Sequence, residues 1–177
     1  ENRLVFANLS VRRIVSADNL IAGNVYARDL SSRNLNSNVN DDCAAGPCSF
    51  NAINDAARIN ETRAGFALQA TLDVPVANRE NQFSAGVSFE ASRSAFDGSA
   101  QEANFSPQRE AVGISGFVTE TAVHTRQRYA RLYLLDTLTL AQDLYATLSA
   151  SYNVTQVRIA DRTGAQPALD GRHRFSR

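Results

Sequence analysis

The chain has 177 residues, and its 18 acidic side chains are balanced by 18 basic ones. That length suits one domain or one and a half, and zero net charge leaves no overall field to draw in nucleic acid or an anionic surface. There is no signal peptide and no apolar run of about 18 residues, which excludes a membrane-spanning helix in this segment but not a β-barrel, whose signal is alternation.

A period of two predicts six strands. The first covers 4–15, with Val5, Ala7, Leu9 and Val11 on one parity, and Arg13 at the far end of that parity. A turn over 16–19, of turn-forming residues, leads to the second strand over 20–30, which carries Ile21, Val25 and Ala27. A long loop over 31–63 follows. Inside it, Cys43 and Cys48 flank Gly46-Pro47, and two cysteines at this spacing in an oxidising compartment read as a local disulfide. Free thiols or a metal site are the alternatives, and a metal site needs further ligands, while His124 and His173 are far away in sequence. Phe50, Ile53 and Ala57 have helical spacing behind a possible Ser49 cap, so 49–59 reads either as a short helix or as an irregular loop with its own small core.

The third strand, 65–74, sets Phe66, Leu68, Ala70, Leu72 and Val74 against Ala67, Gln69, Thr71 and Asp73. Pro75 ends it by removing a ladder donor, and a short connection over 76–81 leads on. The fourth strand, 82–92, sets Phe83, Ala85, Val87, Phe89 and Ala91 against Ser84, Gly86, Ser88, Glu90 and Ser92. A second long loop, 94–125, carries Phe96, Phe105 and Phe117 without regular period and a Gly98-Ser99 stretch that reads as its tip. Those phenylalanines either touch a ligand or pack the loop on itself. The fifth strand, 126–140, has apolar residues on both parities from Tyr129 to Leu135, so its faces stay unassigned. The basic run from His124 to Arg131, with Arg126, Arg128 and Arg131, grips an anionic ligand or a nucleic-acid backbone or, as the plainer reading, pairs with neighbouring carboxylates or lipopolysaccharide phosphates. A three-residue turn over 141–143 leads to the sixth strand, 144–155. Here Leu144, Ala146, Leu148, Ala150, Tyr152 and Val154 alternate without a break against uncharged polar residues. A soluble strand averages about 5–6 residues, whereas one crossing an outer membrane needs about 9–11.

Short connections alternate with long ones, the layout of periplasmic turns against extracellular loops. The expected fold is therefore all-β: a segment of a large antiparallel transmembrane β-barrel of about six strands. A soluble β-sandwich is the competing architecture. No catalytic residue and no metal ligand is predicted: there is no nucleophile elbow, phosphate loop or dinucleotide fingerprint, and the carboxylates form no paired motif. The sequons at Asn8, Asn60 and Asn153 are discounted, two of them lying mid-strand. The chain has no Met and opens directly into a strand pattern, so it is expected to be a piece of a longer protein, and the absence of Lys is read as codon bias.

The run from Tyr129 to Asn153 (YARLYLLDTLTLAQDLYATLSASYN) has a strand ending near an Asp, a short turn, and a strand ending in Tyr-Asn. Together with the tail from Asp161 and the segments at Asn24 and Asn40, it resembles the β-barrel of TonB-dependent outer-membrane receptors. The resemblance covers nearly all of residues 1–177 and implies a wall segment of a plugged barrel of about 22 strands. It further implies a non-enzymatic receptor in the outer membrane of a Gram-negative bacterium. That receptor takes up a ferric siderophore, cobalamin or glycan with energy from the TonB complex, which acts through a plug domain outside this segment. No cofactor and no nucleic acid are implied. Ligand contacts are sought on the loops, at Phe96, Phe105, Phe117 and Arg126. A passive porin or adhesin, and a soluble β-rich binding module, are the other readings.

Overall fold

The computed structural model describes residues 1–16, 19–44, 46–165 and 167–177. These form one antiparallel sheet: β1 (Asn2–Ser16), β2 (Asn19–Val39), β3 (Ala52–Asp73), β4 (Asn81–Phe105), β6 (Val118–Ala141), β7 (Leu144–Asp161) and β8 (Gly171–Ser176) pair in chain order, and the short β5 (Ala111–Gly113) pairs with the end of β4. Every main neighbour is thus the next long strand in sequence, joined by a hairpin. The sheet is open, with β1 and β8 as its edges.

The short hairpins have simple causes. Val76 and Arg79 bridge each other, and between them Ala77 and Asn78 take positive φ of 51° and 59°. Two successive left-handed residues match the twist of the flanking strands, as in a type I′ turn. Ala141 pairs with Leu144, leaving Gln142 and Asp143 as a two-residue turn. The expected turn over 16–19 includes Ala17 and Asp18, which lie outside the described residues.

The long connections are far shorter than expected, because the strands run on into them. β2 reaches Val39 and β3 begins at Ala52, reducing the 31–63 loop to 40–51; β4 reaches Phe105 and β6 begins at Val118, reducing the 94–125 loop to 106–117, with β5 inside it. Neither the short helix nor the irregular loop read for 49–59 forms: from Ala52 on the segment belongs to β3, in which Ile53 pairs with Asn38 and Ala57 with Asn34. These extensions carry polar residues on both faces, so they show no period of two. Their ladder is reinforced by side chains instead: the Ser31 hydroxyl donates to Asn60 Oδ1 at 2.9 Å, Ser37 to Asn54 Oδ1 at 2.7 Å, and Asn38 Nδ2 to Asp55 Oδ2 at 2.7 Å. Gly98 and Ser99 are likewise not a loop tip. They sit in β4 at a register shift, where Gly98 pairs with Thr121 and Ser99 with Thr119, so that Glu120 bulges from β6. The tail also returns as a strand, β8, after 162–170.

Register decides the faces. Paired residues share a face, so the pairings draw rows across the sheet. Val11, Gly23, Leu68, Val87, Leu132 and Tyr152 form one row, and Leu9, Val25, Phe66, Phe89, Ala130 and Val154 form the next. Ile21, Ala70, Ala85, Leu134 and Ala150 lie on the other side of the first row. The apolar parity of every strand therefore falls on the same face, and the even residues of β6 join it. The opposite face carries Ser10, Asn24, Ala67, Ser88, Arg131 and Asn153 in one row, and Arg12, Ala22, Gln69, Gly86, Tyr133 and Ser151 in the next.

No second layer covers either face among the described residues. The buried apolar residues are Ala52 and Ala103, and no large side chain is fully buried, whereas Leu148 is 75% and Leu9 64% exposed. Two packed sheets, as a sandwich requires, are absent from the described residues.

On the polar face, two rings lie over glycines of the adjacent strand. Tyr26 pairs with Gly65, and Tyr133 with Gly86. A Cβ on Gly86 would lie 2.3 Å from the Tyr133 ring, and one on Gly65 would lie 2.8 Å from the Phe89 carbonyl oxygen. Each missing side chain makes the space that a ring fills. Gly86→Ala should push the Tyr133 ring aside and break its 2.7 Å hydrogen bond to Gln69 Oε1, lowering stability by about 1 kcal/mol. Gly116→Ala, with nothing within 4 Å, should be neutral. Chemical denaturation of the intact protein checks this, and equal midpoints for Gly86→Ala and the parent would refute the ring's role.

Candidate functional site

The densest side-chain chemistry lies on the polar face, across β2, β3 and β4. Period two sends Tyr26 and Arg28 of β2, Glu61 and Arg63 of β3, and Glu90 of β4 to that face, and the register brings them together. The Tyr26 hydroxyl donates to Glu90 Oε2, and Arg28 Nη2 donates to Glu61 Oε1. Arg63 stands between the two carboxylates, with Nε 3.2 Å from Glu61 Oε1 and Nη1 3.0 Å from Glu90 Oε1. Glu61 is the least exposed of the paired ions, at 18%. Two arginines against two carboxylates cancel in charge, so the group braces three strands while remaining polar. Farther along the face, Tyr133 donates to Gln69, Tyr129 donates to Asn153 Oδ1 at 2.9 Å, and the Arg131 guanidinium lies 5.3 Å from the Tyr133 ring centroid.

The sequence signal for this group was slender but present. Glu90 is the one carboxylate on a strand parity otherwise made of Ser84, Gly86, Ser88 and Ser92. An isolated charge among hydroxyls needs a counter-charge from a neighbouring strand, but only the register identifies Arg63.

The ligand-contact candidates on the loops do not converge. Phe96 belongs to β4 and pairs with Val123, and Phe105 ends that strand, so neither lies in a long loop; Phe117 stands just before β6 and is 47% exposed. Arg126 and Arg128 fall on the apolar parity of β6, whereas Arg131 falls on the polar one, and among the described residues no carboxylate forms a salt bridge with any of the three. The expected pairing with neighbouring carboxylates is therefore not made.

At the far end of β2 and β3, Cys43 and Cys48 are joined by a disulfide, with Cα atoms 5.2 Å apart. Buried Asn40 anchors the loop that holds it: its Nδ2 donates to the Phe50 carbonyl at 3.0 Å, and its Oδ1 accepts from the Asp42 amide at 3.2 Å. Asn51 and Asn104 tie the loop to β4, since Asn51 N donates to Asn104 Oδ1 at 3.0 Å and Phe105 N donates to Asn51 Oδ1 at 2.8 Å. Among the described residues no group of three or more His, Cys, Asp or Glu side chains is placed to hold a metal ion. His124 and His173 lie on opposite faces of the sheet, paired with Ala95 and Val157.

No protein-family model matches the chain, and no curated protein matches it.

The polar-face brace is testable as a coupling. A double-mutant cycle of Arg63→Ala and Glu90→Ala should give a coupling of about 1 kcal/mol, the upper end for a partly exposed pair, and it should shrink at high salt. Unfolding measurements on the intact protein read it, and strictly additive single effects would show that Arg63 does not bridge the strands.

Proposed function

We propose that this chain is part of the wall of an outer-membrane β-barrel, and that the barrel is a TonB-dependent receptor importing a scarce nutrient such as a ferric siderophore, cobalamin or glycan. The observation that carries the barrel reading is the continuous apolar band on one face of a single-layer sheet. On β4 it runs from Phe83 to Ala91, about 27 Å along the strand at ~3.4 Å per residue, against an apolar band ~25 Å tall in outer-membrane barrels.

Physical cost supports the same reading. An apolar side chain as large as Leu or Phe left in water forgoes about 1.5–3 kcal/mol relative to full burial. A contiguous band of such residues over six strands marks an interface with lipid or with another protein surface. Lipid fits the geometry, because the opposite face is polar, with hydroxyls, amides and the mutually paired charges of Arg28, Glu61, Arg63 and Glu90, as the wall of a watery lumen is. The two open edges, β1 and β8, fit a wall segment whose neighbouring strands continue the ladder. Phe83 at one border of the band and the Phe66–Phe89 pair, centroids 6.2 Å apart, at the other are placed as aromatic girdles are. The import function rests on the resemblance in the β6–β7 segment, together with this wall geometry.

Three measurements test the proposal. Leu148→Arg should impair folding of the intact protein far more than Ser149→Arg, because a lipid-facing Arg near the midplane costs about 2–4 kcal/mol. Heat-modifiable gel migration reads this, and equal tolerance would remove the lipid-face assignment. For activity, a deletion strain should lose growth on one iron, corrinoid or glycan source, and a strain lacking TonB should lose growth on the same source. Growth lost with the gene but kept without TonB would replace the receptor by a passive barrel. An epitope at 107–109, the actual tip of the β4–β6 connection, should be accessible on intact cells, while one at Asn78 should be silent until the outer membrane is permeabilised.

A further inference from the structure

A hollow opens on the polar face over β1, β2 and β3, away from the ion-paired group. It arises from a checkerboard of side-chain sizes: Arg12, Ala22 and Gln69 pair in one row, and Ser10, Asn24 and Ala67 in the next. The two alanines sit diagonally, so their methyls floor a space that longer side chains surround. Tyr133 closes one side by leaning across Gly86 to reach Gln69. The space is about 370 Å³, within the roughly 300–1,000 Å³ of small-molecule sites.

A single charge stands in this lining. Arg12 is exposed and forms no salt bridge among the described residues, whereas Arg28 and Arg63 on the same face are both held by carboxylates. Around it are hydroxyls and amides with unused capacity. Ser10 Oγ accepts from Asn8 Nδ2 at 3.0 Å, which leaves its proton to donate. Asn24 Nδ2 donates to Asn8 Oδ1 at 3.4 Å, which leaves Asn24 Oδ1 to accept. Tyr133 donates to Gln69 Oε1, which leaves its own oxygen to accept.

These groups select a ligand by elimination. One free guanidinium matches one carboxylate through two parallel hydrogen bonds, while a phosphate dianion would keep half its charge uncompensated. No carboxylate lines the hollow, so an ammonium group finds no counter-charge there and an amino acid is a poor fit. Ser10, Asn24 and Tyr133 offer both donors and acceptors, as a ring of hydroxyls requires, since each hydroxyl does both. The methyls of Ala22 and Ala67 suit the C–H face of such a ring. About 10 Å, two strand spacings, separates the backbones of β1 and β3, which leaves room for one ring between Arg12 and the Gln69–Tyr133 side.

We propose that Arg12, Ser10, Asn24 and Tyr133, over the floor of Ala22 and Ala67, form a binding site for a sugar acid of the hexuronate class. Arg12 takes the carboxylate and the other three take ring hydroxyls. This rests on the lumen-wall reading above, which brings solutes to the polar face.

The test uses the intact protein folded in detergent, with glucuronate, glucose, acetate and inorganic phosphate as probes and saturation-transfer NMR or calorimetry as the readout. Glucuronate should bind, and glucose and acetate, each lacking one half of the recognised ligand, should bind at least ten-fold more weakly. Arg12→Gln should weaken glucuronate binding at least ten-fold, and Arg12→Lys by a smaller factor, because an ammonium keeps the charge and loses the paired geometry. Ala22→Leu should also weaken it at least ten-fold while keeping every charge, by filling the floor. Should that variant fail to fold, Arg12→Gln, at an exposed position, carries the test alone. Arg13→Gln, one residue along but on the opposite face, should leave binding unchanged. Glucose binding as tightly as glucuronate, or Arg12→Gln binding like the parent, would overturn the carboxylate assignment. Acetate or phosphate binding as tightly would overturn the sugar. Absence of glucuronate binding by the folded parent would overturn the site and leave the growth and TonB results of the receptor reading untouched. A protein that stays soluble and monomeric without detergent would remove the wall reading itself, and glucuronate binding would then be scored in buffer.

Discussion

The organisation of this molecule depends on the unbroken hydrogen-bonded register between neighbouring strands. Each strand alternates its side chains between two faces, so a slip of one residue at any pairing would exchange the faces of every strand beyond it. The pairings from Leu9 through Val25, Phe66, Phe89 and Ala130 to Val154 keep one parity aligned across six strands. One continuous apolar surface results, with a polar surface behind it. Among the described residues nothing comparable to a packed core contributes, since only Ala52 and Ala103 are buried apolar residues there. The ladder and the medium against the apolar face must therefore supply the stability that a core supplies in a globular domain.

The two faces handle their charges differently, and the difference follows from what each face meets. On the polar face Arg28, Glu61, Arg63 and Glu90 neutralise one another within the chain, and Tyr26 adds a hydrogen bond to Glu90. On the apolar face Arg93, Arg126, Arg158 and Arg172 pair in succession across β4, β6, β7 and β8, and among the described residues none of the four forms a salt bridge. A chain-internal network suits a surface that must hold its shape in water. An uncompensated row suits a surface whose counter-charges come from outside the chain.

Glycine and tyrosine regulate the spacing inside this frame. Gly65 and Gly86 would ordinarily weaken a strand, yet each receives the ring of its cross-strand partner, Tyr26 or Tyr133. The rings cover backbone that would otherwise lie bare, and they hold their hydroxyls against Glu90 and Gln69. At the other end of β2 and β3 the Cys43–Cys48 bridge and the bonds of Asn40, Asn51 and Asn104 close the sheet with a compact loop.

The sequence by itself determined the all-β class, the apolar parities of five strands and the short hairpins at 76–81 and 141–143, because period two and turn chemistry are local properties written in adjacent residues. Glu90 was legible as an anomaly on its strand for the same reason. Tertiary structure decided the rest. The extensions of β2 to Val39 and of β4 to Phe105 have polar residues on both sides, so their strand state exists only through pairing with distant partners. Helical spacing at Phe50, Ile53 and Ala57 lost to two flanking ladders that satisfy the same backbone groups. On β6, apolar residues on both parities left the face undecided until pairing set Leu132 beside Val87 and Tyr152. The partner of Glu90 and the row of four arginines are likewise products of register: their members are tens of residues apart along the chain, and only hydrogen bonding between strands makes them neighbours.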